Sequence, residues 1–109
     1  MSVEQEKIVD FIGDNEAANE VVLFITDHLP WDDSANEHLN LLQKKINKYI
    51  AFIESGELVQ LRPSAVSKKK VIEVQTKYEN SDIANSFYKH AKERMDGSGI
   101  ELRFSYQGN

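Results

Sequence analysis

The chain has no cysteine, so neither a disulfide nor a thiolate zinc site supports its core, and no thiol nucleophile is available. Proline and glycine are sparse, two and five in 109 residues. With no Pro/Gly-rich linker to divide it, a chain of this length is expected to form one domain over residues 1–109. No apolar run approaches the length of a bilayer span, and the leading MSVEQEKIVDF is acidic with no apolar h-region. A soluble cytoplasmic protein with no membrane partner is the expectation. Catalytic signatures are missing too: there is no G-x-S-x-G, no P-loop and no dinucleotide fingerprint, and no cofactor is expected. Bases are scarce at the start. Up to Glu37 ten acids stand against the single base Lys7, a net −9, whereas the remainder carries twelve bases and eight acids, a net +4. Either an acidic face meets a basic partner, or the opposite charges of the two halves meet inside the fold. Nucleic acid is disfavoured, because an acidic chain repels phosphates and its one basic run, Lys68 to Lys70, is short.

What is present is the composition of a globular protein, 40% apolar and 28% charged. Ile8 to Ile12 and Val21 to Thr26 are branched and aromatic runs separated by Gly13, Asp14, Asn15 and Asn19, which predicts a strand, loop, strand hairpin. The second run is apolar at both parities and is expected to be central. Leu39, Leu42, Ile46, Tyr49, Ile50 and Ile53 then recur at helical spacing, predicting an amphipathic helix from Ser34 to about Ser55, with Gly56 where a left-handed C-cap belongs. ELVQL and KKVIEVQTKY flank a turn-rich RPSAVSK and read as a second hairpin; Ile72, Val74, Thr76 and Tyr78 alternate with polar residues. Asn80, Ser81 and Asp82 offer N-caps to a helix whose Ile83, Phe87, Ala91 and Met95 share a face, stopped by DGSG. IELRFSY closes as an alternating strand.

The expected order is therefore β-β-α-β-β-α-β. It implies an α+β two-layer sandwich, a mainly antiparallel five-stranded sheet with two helices on one face. The last six elements match a ferredoxin-like succession, with an extra N-terminal strand. From Asp27 to Leu58, DHLPWDD followed by EHLNLLQKKINKYIAFIESGEL resembles a small bacterial family catalogued as a domain of unknown function. The resemblance implies a bacterial origin and carries no activity or site.

The richest segment is ITDHLPWDDSANEHLNLL, Ile25 to Leu42. Ser34 and Glu37 form the S-x-x-E pattern of a capping box, in which each side chain satisfies an amide of the first helical turn. Asp32 and Asp33, just outside, suit the positive end of the helix dipole. Three of four acids are so explained, and Asp27 is left over. A metal site from His28, Asp32, Asp33 and His38 is sterically imaginable, with nitrogen and oxygen ligands suited to zinc, manganese or iron. The spacing is no metal signature, however, and His38 lies about 70° from the centre of the apolar stripe, a boundary position. Leu41 and Phe52 lie about 110° to 130° from that centre, widening the apolar arc to about 180°. Either the second helix covers this flank, its Ala84 and Ala91 permitting close approach, or a partner does. Trp31 is similarly a core edge or an exposed anchor. The function favoured on these grounds is a non-enzymatic protein-interaction or self-associating module, with a protein partner or a homodimer. A small metal-dependent enzyme on the histidine and acid cluster is the alternative, and nucleic-acid binding by Lys68 to Lys70 and Arg103 on the sheet face a distant third.

Overall fold

A computed structural model describes residues 11–29, 35–79, 81–95 and 97–106. Strands β1 (Phe11–Asn15) and β2 (Glu20–Asp27) form an antiparallel hairpin that pairs Phe11 with Phe24 and Asn15 with Glu20. Asn19 closes the turn at φ 55°, a conformation that Asn tolerates better than most side chains. Gly13 lies within β1 at a close approach, where a Cβ would sit 3.1 Å from the Phe24 ring. Helix α1 (Ala35–Glu54) follows, then a short helix α2 (Glu57–Leu61) and a 3-10 turn (Pro63–Ser67). Strand β3 (Lys69–Thr76), helix α3 (Asp82–Met95) and strand β4 (Ile100–Tyr106) complete the described chain.

The sheet has four strands in the order β1-β2-β3-β4, with β1 antiparallel to β2 and β2, β3 and β4 mutually parallel. This overturns the five-stranded, mainly antiparallel sheet and the β-β-α-β-β-α-β order expected from the sequence, and with them the ferredoxin-like succession. The cause is ELVQL. Glu, Leu and Gln are good helix formers, and Gly56, at φ 90°, ends α1 and turns the chain directly into α2. Amides of Gln60 and Arg62 donate to the carbonyls of Gly56 and Leu58 at 3.0 and 2.8 Å, and Arg62, preceding Pro63, leaves the helical region. Without a strand there, the α1–α2 segment becomes a crossover, which returns β3 parallel to β2. The first strand runs beyond the expected end at Ile12, taking in Gly13, Asp14 and Asn15; residues 8–10 of the expected run lie outside the described part.

Register separates the two faces of the sheet. Leu23, Ile72 and Leu102 stand side by side, as do Ile25, Val74 and Phe104; these face the helices and meet Leu42, Ile46, Tyr49 and Leu58 in the core. Tyr49 also donates its hydroxyl to the Phe24 carbonyl at 2.7 Å. In α3 the buried residues are Ala84, Tyr88, Ala91 and Met95. Of the expected face, Phe87 is half-buried and Ile83 is 53% exposed. The helix is thus turned so that Tyr88 stacks on Phe104, and the Ser81 hydroxyl accepts from the Ala84 amide at 3.3 Å as its cap. No helix among the described residues is long and apolar enough to cross a membrane.

Candidate functional site

At the carboxyl ends of β2 and β3 the helix-facing residues turn polar. Asp27 sits beside Thr76, both buried. His38, from the first turn of α1, drops onto Asp27 with its Nε2 2.6 Å from Oδ2; the two side chains are 2% and 1% exposed. A carboxylate only accepts, so Nε2 carries the shared proton. The other Asp27 oxygen accepts from the Leu29 amide at 3.2 Å. Tyr88 approaches from α3, and burial, with the Asp27 charge adding, pushes its phenol well above the ordinary range. The pair therefore anchors the start of α1 to the end of β2. His38 is a core residue rather than a boundary one, and Asp27 is the acid that binds it.

Of the residues proposed as metal ligands, His38 is engaged by Asp27, and His28 is exposed on the segment after β2. Asp32 and Asp33 lie outside the described residues, as do Trp31 and the Ser34 half of the capping box; Glu37 is exposed in the first turn of α1. Among the described residues no three histidine or acidic side chains converge as a metal-binding group. Leu41 and Phe52 are half-buried against the core. The flank of α1 that α3 approaches is the opposite one: Leu39 and Gln43 of α1 share a groove with Ile83, Phe87, His90 and Arg94 of α3. Ala84 and Ala91 are buried, but α3 lies against the Leu39 and Gln43 side of α1 and not over Leu41 and Phe52 as expected.

The helix-free face carries a charged network. Arg103 reaches from β4 across β3 to Glu20 on β2, where its two terminal nitrogens meet the two carboxylate oxygens at 2.9 and 2.5 Å. Its Nε donates to Glu101, which Lys69 also holds at 2.5 Å. Such a span crosses about 10 Å of sheet at about 4.8 Å per strand, on the face that also carries the buried Val71 and Val22. Hydrogen bonding to Arg103 holds the Glu20 carboxyl below its ordinary value, and Lys69 and then Arg103 do the same for Glu101. On the edge strand β1, Asp14 takes Arg62 at 2.5 Å and Lys68 at 3.3 Å, and Lys68 also reaches Glu16 at 3.5 Å. Asp14, Glu16 and Glu20 from the acidic half thus meet Arg62, Lys68 and Arg103 from the basic half, so for these residues the charges meet within the fold. Of the bases suggested for nucleic acid, Lys68, Lys69 and Arg103 are tied to acids, and Lys70 donates to the Val66 carbonyl at 3.5 Å.

Strand β4 is an edge, and the hydrogen bonds fix which of its groups point outward. Asp27, whose side chain faces the helices, turns its carbonyl toward β3, where the Lys77 amide donates to it at 2.9 Å. Because β4 runs parallel to β2 with the same side to the helices, Leu102 and Phe104 turn their amides and carbonyls the same way, which is away from β3. The Ile100 amide accordingly goes to the Ser98 hydroxyl, at 3.2 Å. No described strand pairs with this outer edge. A shallow hollow of about 440 Å³ runs along it, lined by Lys92 and Met95 of α3 and by Ile100 to Arg103. Sequence reasoning named Arg103 but missed Glu20 and Glu101, whose role depends on strand order.

Comparison with curated proteins returns no match, and neither does comparison with solved structures. A family model does match, over residues 1–108, under the description "Family of unknown function (DUF6572)". With nearly its whole length covered, the chain belongs to this family of unknown function.

Proposed function

We propose that the protein is a non-enzymatic interaction module, a single-domain bacterial protein of the cytoplasm that takes up a protein partner by strand addition along β4. The observation that carries the reading is the outward row of backbone donors and acceptors at Leu102 and Phe104. An unpaired edge of this kind recruits an extended segment through main-chain hydrogen bonds, while neighbouring side chains supply selectivity. The cysteine-free composition fits a reducing compartment, and the engagement of Lys68, Lys69 and Arg103 by acids speaks against phosphate binding.

A Phe104→Pro variant tests the proposal. It deletes an outward amide that the sheet does not use and also the ring that stacks on Tyr88, so urea melts verify that it folds and a Phe104→Leu control, which keeps the amide, accounts for the lost ring. Proteins captured from the native host by the wild-type chain, a second tagged copy included, should be lost on the folded variant. Equal capture by both would overturn strand addition at β4.

A further inference from the structure

We infer that the occupant of the β4 edge is a second copy of this chain, paired antiparallel about a two-fold axis centred on Leu102. The inference rests on the strand-addition reading above and adds the partner and the register. Outward backbone groups at Leu102 and Phe104 make Leu102 opposite the partner's Leu102 a hydrogen-bonded pair, with Ile100 opposite the partner's Phe104 flanking it.

On the helix-free face the same register sets Glu101 against the partner's Arg103 and Arg103 against the partner's Glu101. These are non-hydrogen-bonded positions, where facing Cα atoms approach to about 4.5 Å and opposite charges attract across strands. The segment Ile-Glu-Leu-Arg-Phe is self-complementary in this sense only about its central residue. Centring on Arg103 or on Glu101 would place like charges opposite each other, and centring on Ile100 or Phe104 leaves the pair unmatched. Each copy brings a balanced set, Glu20 and Glu101 with Lys69 and Arg103, so no excess of one charge opposes the approach of the second copy. The result is a continuous eight-stranded sheet with two-fold symmetry, which closes and leaves no second β4 edge to propagate.

Light scattering on the purified chain should give twice the 12.5 kDa chain mass. In hydrogen exchange the Leu102 and Phe104 amides should be protected at high protein concentration and lose that protection on dilution. Glu101→Arg and Arg103→Glu should each be monomeric where the wild type is dimeric, and an equimolar mixture should recover the doubled mass, because every cross-strand pair is then again opposite in sign. Arg103→Glu also removes the partner of Glu20 and can unfold for that reason; the exchange measurement on the unmodified chain decides the matter independently. A wild-type chain that stays monomeric, or a dimer whose Leu102 and Phe104 amides exchange freely, would overturn self-pairing. Edge-dependent capture of a different protein by a monomeric chain would do the same while leaving strand addition intact.

Discussion

Replacing His38 by leucine should be among the most damaging single substitutions in the described fold. The side chain is 2% exposed and its Nε2 sits 2.6 Å from the carboxylate of Asp27, itself 1% exposed. Leucine fits the apolar neighbourhood of Leu42 but leaves Asp27 with the Leu29 amide at 3.2 Å as a donor. Removing one partner of a buried ion pair typically costs about 3 to 5 kcal/mol, because the other charge stays behind without compensation. Against a total stability of about 5 to 15 kcal/mol for a domain, this takes a large share, and near Tm it corresponds to a fall of about 12 °C or more.

Asp27→Leu should cost less, about 1 to 3 kcal/mol, the range for a buried hydrogen-bonding group that loses its partner. The double variant, with two apolar groups in contact, should be more stable than His38→Leu alone. Urea melts of the four proteins at constant m-value give the coupling energy, expected at about 2 kcal/mol. Additive single costs, or a His38→Leu cost below about 1 kcal/mol, would refute the idea that this pair clamps α1 to β2.

Leu42→Ala, at a fully buried site under the sheet, should cost about 2 to 5 kcal/mol in the same melts, and a neutral result would mean that α1 does not face the sheet as described. Gly56→Ala should cost about 1 kcal/mol because its φ of 90° disfavours a Cβ although the space is open; no loss would place the strain elsewhere. Glu20 and Glu101 hold their protons less tightly folded than unfolded, so their contribution is present above the ordinary value of 4.5 and is lost as pH falls below it. Acid melts of wild type and Arg103→Ala should therefore converge as pH drops through this window, and a constant gap would exclude the network as the cause. Added zinc or manganese should leave Tm unchanged, since native-state binding at about 100 times the dissociation constant would contribute about 2.7 kcal/mol. One equivalent of retained metal, lost in His28→Ala, would revive the cluster of His28, Asp32, Asp33 and His38.

Local pattern reveals those elements whose periodicity is uninterrupted. The twenty residues of α1 repeat their apolar positions over many turns, and β2, β3 and β4 alternate or run apolar long enough to be distinguished from helix. ELVQL is too short for this. Five residues with apolar positions at Leu58, Val59 and Leu61 fit either period, and the decision falls to Gly56 before it and Pro63 after it. That single misassignment changes the direction of β3 and hence the whole sheet, since a hairpin and a crossover return the chain in opposite senses. In α3 the same ambiguity operates on a smaller scale. Ile83 and Ala84 begin adjacent apolar stripes, and it is the stacking of Tyr88 on Phe104, a contact across the fold, that selects the second.

The functional side chains were legible as types and illegible as partners. Subtracting the acids that local capping explains leaves Asp27, and this remainder is the acid that holds His38; the subtraction isolates a residue but cannot supply a partner eleven positions away on another element. Arg103 shows the limit more sharply. As a lone base in an alternating strand it reads as a phosphate contact on an open sheet face. Once β4 is known to be an edge, and once Asp27 and Lys77 establish which residues turn their backbone outward, the same arginine becomes one half of a Glu101–Arg103 repeat that can meet its own copy. Edge position and backbone direction follow from strand order, which the α2 crossover determines. The sequence of β4 therefore holds the complementary charges, whereas the information that its edge is exposed resides 44 residues before Ile100, in the turn at Gly56.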